Sequence, residues 1–142
     1  MQSGRRIPCF VANPCNVFAF TPTGYWQMED KTVVEFKPCD GKLCGYFASL
    51  GNASKVQDEK NPVPEKRTRL LCNLAFITEL QLDAERYSGG TLYDPDSGDT
   101  YDVSLSGNGK EIKMRVYAGL KMLGVTIILT TIPAELVKRC KS

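Results

Sequence analysis

From Gly24 onward, apolar and polar residues alternate in short runs separated by turn-forming clusters. This is the two-residue period of a half-buried antiparallel sheet, and helical periodicity is largely absent. The runs are Tyr25 to Met28 continuing into Val33-Val34-Glu35-Phe36, then Leu43 to Leu50, Leu74 to Leu82, Tyr87 to Tyr93, Thr100 to Leu105, Ile112 to Tyr117 and Val125 to Ile132. They predict about seven strands.

The clearest pair places Tyr101, Val103 and Leu105 on one face and Ile112, Met114 and Val116 on the matching face, with Lys113 and Arg115 between. Ser106-Gly107-Asn108-Gly109-Lys110 joins them, and Gly and Asn tolerate the positive φ that tight hairpins require. Asp94-Pro95-Asp96-Ser97-Gly98 makes the preceding reversal by the same chemistry. The polar stretch from Gly51 to Arg69, with Asn61-Pro62-Val63-Pro64 inside it, is too long for a hairpin loop and reads as a lid or an insertion. Pro133 to Arg139 reads as a short helix, with Pro suited to its first turn, Glu135 to its N-terminal end and Lys138 and Arg139 to its C-terminal end.

Sequential antiparallel strands leave two open edges unless the sheet closes on itself. The fold class expected is therefore all-β, a single antiparallel up-and-down barrel, with a β-sandwich as the alternative. Residues 1–23 form an N-terminal extension or degenerate export leader, 24–132 the barrel, and 133–142 a short helical tail. The leader reading rests on Arg5-Arg6 followed by an apolar stretch that Asn13, Pro14 and Asn16 interrupt.

Composition narrows the function. At 142 residues the chain fits one domain, and 42% hydrophobic against 24% charged residues is ordinary globular usage. Eighteen Lys and Arg against sixteen Asp and Glu leave a formal +2, too balanced for the positive field that nucleic-acid binding uses. No apolar run approaches the roughly 20 residues of a membrane-spanning helix. The absence of histidine removes the Ser-His-Asp and Cys-His nucleophile arrangements and the commonest general base, so no enzyme is expected, and no cofactor or metal.

Several motifs have plain structural readings. Asp94, Asp96, Asp99 and Asp102 fall in or beside a turn and read as solvated turn carboxylates. As a calcium loop the run fails, because its Gly98 comes one position early and Leu105 stands where a Glu is needed. Asn52-Ala53-Ser54 fits a glycosylation acceptor, relevant only in a eukaryotic secretory route. Zinc at Cys9, Cys15, Cys39 and Cys44 is disfavoured by ligand spacing. Cys39 and Cys44 flank a four-residue turn that sets them opposite each other in a hairpin, within disulfide reach. If the segment holding Cys9 and Cys15 is removed, three pairings of the remaining cysteines are possible, and Cys39 with Cys44 leaves Cys72 with Cys140.

Gly24-Tyr25-Trp26, Cys39-Asp40-Gly41-Lys42-Leu43-Cys44-Gly45, Asp58 with Asn61-Pro62, Arg67-Thr68-Arg69-Leu70, Gly89-Gly90-Thr91-Leu92-Tyr93-Asp94-Pro95, Gly98-Asp99-Thr100-Tyr101 and Arg115-Val116-Tyr117-Ala118-Gly119 occur in one order over about Gly24 to Thr131. In this the chain resembles the bacterial family called domain of unknown function 2147. The resemblance implies a lipocalin-like, calycin-type barrel, export to the periplasm or exterior, and no established activity. It departs from the family's closing run, because the expected Trp and Arg are replaced by Leu129 and Thr131.

The resulting expectation is a binding module for a small apolar or amphipathic ligand. Trp26, Phe36, Phe47, Phe76, Tyr93, Tyr101 and Met114 would line its interior, and Arg67 and Arg69, same-facing on an extended chain, would grip an anionic head. Pairing of those arginines with Asp58, Glu59 or Glu65 is the competing reading, and an envelope structural or interaction domain with a packed core is the competing function. Gly45, Gly89 and Gly90 supply no side chain where strands should carry bulk, which points to a cavity entered from the Gly51 to Arg69 segment.

Overall fold

The computed structural model describes residues 20–52 and 55–141. The leader reading, Cys9, Cys15, and Ala53 and Ser54 of the glycosylation acceptor lie outside these residues. Eight strands, β1 (Gly24–Gln27), β2 (Thr32–Cys39), β3 (Lys42–Leu50), β4 (Ala75–Asp83), β5 (Arg86–Asp94), β6 (Asp99–Gly107), β7 (Glu111–Tyr117) and β8 (Val125–Thr131), follow one another as antiparallel neighbours. β8 returns to β1 and closes the barrel.

The count exceeds the expected seven because the first run is two strands. Lys31 takes a left-handed φ of 75°, and the Asp30 carboxylate accepts from the Thr32 backbone N–H, so the chain reverses between Met28 and Thr32. Elsewhere the pattern translated directly. Val103, Leu105, Ile112, Met114 and Val116 all face inward and are buried, and the Asn108 side-chain oxygen accepts the backbone N–H groups of Lys110 and Glu111 to close the β6–β7 hairpin.

One end of the barrel is sealed. Trp26, Phe36, Leu43, Leu80, Leu105, Ile112 and Leu129 fill it, each 5% exposed or less. Phe20 packs edge-on against Tyr87 beneath them, and the Trp26 indole N–H donates to the Pro22 carbonyl at 2.6 Å. Of the glycines expected to mark a cavity, Gly45 and Gly90 belong to this packing, whereas Gly89 is exposed, with a φ of 72° and nothing near its missing Cβ. A Cβ on Gly90 would lie 2.5 Å from a Leu80 methyl, and one on Gly45 would lie 3.0 Å from the Phe36 ring. Gly90 and Gly45 make room for large neighbours, and they do not mark a void.

The C-terminal helix is not formed. Only Ala134–Leu136 makes a single 3-10 turn, and the chain then runs extended along the outside of the barrel. Tertiary contacts override the local helical signals: the Arg139 guanidinium donates to the Tyr25 hydroxyl, Glu35 and Asn73, while the Cys140 N–H donates to the Ala48 carbonyl. Cys140 is bonded to Cys72 and Cys39 to Cys44, so the structure contains the expected hairpin bridge and resolves the partner of Cys72.

Candidate functional site

The opposite end of the barrel is hollow. A cavity of about 580 Å³ opens between the β1–β2, β3–β4, β5–β6 and β7–β8 connections. Its walls are apolar: Met28, Phe47, Leu50, Leu71, Phe76, Leu92, Met114, Val116 and Ile127. Phe47 and Phe76 stack face to face with centroids 3.8 Å apart. Polar groups gather at the rim, where Asp30, Lys55, Asp94, Asp96, Tyr93, Tyr101 and Tyr117 contribute. Thr32 is 8% exposed and also lines the wall, and among the described residues its hydroxyl has no hydrogen-bond partner.

From Lys55 on, the long β3–β4 connection folds onto the rim. Gln57 bridges to Leu70, and the Asp58 N–H donates to the Arg69 carbonyl, so the connection forms a small hairpin of its own. Its anchor is the Asp58 carboxylate, fully buried. That group accepts from the Asn61 amide at 2.7 Å, the Arg69 Nε at 2.9 Å and the Tyr93 hydroxyl at 2.5 Å. Burial by itself would push its pKa up, but the hydrogen bonds from Tyr93, Asn61 and Arg69 outweigh it and hold the carboxyl below its ordinary value. Tyr93 is pushed up to about 12, by burial first and by its bond to Asp58 second. Gly98 completes the seat: its φ is +80°, and a Cβ there would collide with the Lys60 carbonyl.

Of the residues expected to meet a ligand, Phe47, Phe76, Tyr93, Tyr101 and Met114 line this cavity. Trp26 and Phe36 do not, because both belong to the sealed end. Arg67 and Arg69 do not line it either. The chain is not extended there: Arg67 closes the 3-10 turn Pro64–Lys66 in αR conformation, and its Nε donates to the Asn61 carbonyl. Arg69 is committed to Asp58 and lies over the Tyr93 ring. The ion pairing weighed against ligand binding is thus what Arg69 makes. The rim cation is instead Lys55, which donates to the Pro95 carbonyl and stands 3.8 Å from Asp96. Among the apolar wall residues, sequence reasoning missed Met28, Leu50, Leu71, Leu92, Val116 and Ile127. The alternation of β7 already placed Val116 on the face of Met114, and that signal would have found it.

Two of the four turn carboxylates, Asp94 and Asp102, hold backbone, while Asp96 is exposed beside Lys55. Asp94 accepts from the Asp96 N–H and the Ser97 hydroxyl, and Asp102 accepts from the Gly119 N–H.

Comparison with curated proteins finds no match. Among solved structures the chain is similar to one titled "Protein HP1028 from the human pathogen Helicobacter pylori belongs to the lipocalin family". The two share 24% identity and a TM-score of 0.76 over 87% of this chain and 94% of that one, a likeness of fold. The family model described as "Uncharacterized protein conserved in bacteria (DUF2147)" matches residues 24–130, which span the barrel from the start of β1 to the next-to-last residue of β8, and the chain belongs to that family.

Proposed function

We propose that the protein is an exported, lipocalin-like, non-catalytic binding module that takes a small apolar or amphipathic ligand into the open end of its barrel. The cavity carries this reading. Its volume of about 580 Å³ falls within the roughly 300–1,000 Å³ of ordinary ligand sites, and it combines apolar walls with a few convergent polar groups. An apolar body would lie against Phe47, Phe76, Leu92, Met114 and Val116. A polar end would meet Tyr101 and Tyr117 at the rim and Thr32 on the wall.

Export is supported by two disulfides among the described residues, since such bonds persist in oxidising compartments. No helix among those residues is long and apolar enough to cross a membrane. The non-catalytic reading is supported by the lack of any histidine and by the structural engagement of Asp58 and Asp94.

The test is uptake of an apolar fluorescent probe by purified protein, together with solvent extraction and mass spectrometry of protein taken from its own source. Saturable one-to-one uptake is expected. A protein that neither takes up a probe nor carries an extractable molecule would leave the structural, packed-core reading in its place.

A further inference from the structure

The β7–β8 connection turns its hydrogen-bonding groups inward and its apolar side chains outward. Leu120 is 61% exposed, Met122 80%, Leu123 73% and Val125 60%. Large apolar residues scattered singly on a surface are ordinary, but four within six positions form a patch. The loop holding them is well braced. The N–H groups of Leu120, Leu123 and Gly124 donate to Ala118, Leu120 and Lys121, and the Gly119 N–H donates to Asp102. Arg115 clamps it from below, with Nε on the Lys121 carbonyl and Nη1 on the Thr126 hydroxyl. These backbone groups are satisfied within the protein, which is the condition for placing a loop at a lipid boundary.

The surroundings distinguish a lipid surface from other partners. Lys113, exposed on the outer face of β7 opposite Ile128, joins Arg115 and Lys121 in a basic collar. Lys31 extends the collar across the groove between β1 and β8; the opposing charges are Glu29 in that groove, Asp102 bonded to the loop at Gly119, and Asp30, Asp94 and Asp96 on the cavity rim. Apolar tips with long cations behind them are the pattern of an interfacial anchor, because lysine stems can lie along acyl chains while their ammonium groups reach the headgroups. The patch is also continuous with the cavity: Leu123, Val125 and Ile127 line its wall.

We propose that this face docks on phospholipid membranes carrying anionic headgroups. Leu120, Met122, Leu123 and Val125 enter the interface, and Lys31, Lys113 and Lys121 sit at headgroup level, while the acidic part of the cavity rim stays in water.

The experiment is co-sedimentation of the full chain with vesicles of phosphatidylcholine mixed with phosphatidylglycerol, and of phosphatidylcholine alone. The mixed vesicles should bind more tightly, and salt should weaken that advantage. Replacing Met122 and Leu123 together by Asp, or by Ser in a second variant, should weaken binding by at least about tenfold with the unfolding midpoint unchanged. Lys113→Glu with Lys121→Glu should remove the salt-dependent part. The proposal is overturned if the parent stays in the supernatant with both compositions, or if the Met122 and Leu123 variants bind as the parent does. A concentration-dependent dimer abolished by those substitutions, without vesicle binding, would make the face a self-association surface and also overturn it. Probe uptake in the same preparations keeps the readings separable: vesicle binding without uptake supports docking and ends the ligand reading alone.

Discussion

The same strands build two different interiors. At the sealed end, β2, β4, β6, β7 and β8 contribute Phe36, Leu80, Leu105, Ile112 and Leu129, all 1% exposed or less. At the open end, β7 contributes Val116 and β8 contributes Ile127, and these side chains border a cavity of about 580 Å³. Alternation fixes which residues point inward at both ends, and side-chain volume with the length of the connections decides whether they touch. The hairpins at the sealed end are short, whereas the open end carries the long β3–β4 connection and the β7–β8 loop. Stability therefore concentrates in one half, and the other is free to be shaped by a ligand.

The largest expected effect falls in the sealed half. Phe36→Ala should cost about 3–5 kcal/mol, the range for emptying an aromatic site that neighbours cannot refill. Chemical unfolding measures it. A loss below about 1 kcal/mol would show that the sealed end relaxes and that the two halves are alike.

The disulfides divide between the halves. Cys39–Cys44 spans 5 positions at the sealed-end β2–β3 turn, whereas Cys72–Cys140 spans 68 and ties the base of the β3–β4 connection to the C-terminal tail. In the chain-entropy model, removal should cost about 2 kcal/mol for the first bridge and about 4 for the second. Unfolding of the two paired Cys→Ala variants tests the ranking. Equal losses would mean that the tail is held chiefly by Arg139 and its partners.

The open end has a buried electrostatic latch, whereas the Lys42–Glu79 ion pair at the sealed end is exposed. Asp58 is held below its ordinary pKa, so its stabilising effect is complete above about pH 4 and is lost as pH falls through its lowered folded-state value. Tyr93 is raised, so its contribution is complete below about pH 10 and is lost as pH rises toward about 12. Tyr93→Phe removes a hydrogen bond to a buried carboxylate and should cost about 1–3 kcal/mol near neutrality. It should also flatten the alkaline loss between those limits. Hydrogen exchange at the Asp58 and Leu71 amides, followed against pH, should show this connection opening before the sealed end. Simultaneous opening would dissolve the distinction.

How far the sequence foretold the two halves differs in the same way. The β6–β7 hairpin was legible because its alternation and turn chemistry are local and agree. The first hairpin was hidden because a Lys, carrying no turn signal, takes the left-handed position at residue 31. The tail was misread because Pro133 and the charges after it are helical cues of small magnitude, while Cys140 and Arg139 act through partners distant in sequence. At the site, Phe47, Phe76 and Met114 were legible as inward positions. The roles of Arg67 and Arg69 were not, because a 3-10 turn and the buried Asp58 redirect both side chains. Asp58 itself was visible only as one of several acids near an arginine; its burial is a tertiary fact.

The smallest stability effect belongs to the sharpest test of the comparison, and it lies within one strand. Ile112, Met114 and Val116 share the inner face of β7, running from the sealed end toward the mouth. Enlarging a residue in a filled core forces neighbours off their rotamers and typically costs about 1–3 kcal/mol, whereas the same added volume beside a void meets nothing. Ile112→Phe should therefore destabilise the barrel by that amount and leave probe uptake intact in the folded fraction. Val116→Phe should cost less than about 1 kcal/mol, since its wall borders the cavity, while reducing uptake strongly by occupying the ligand's space. Unfolding midpoints and probe titrations of the two variants can be measured side by side. Equal destabilisation would mean that the mouth collapses onto itself in solution, and the ligand reading would then lose its cavity.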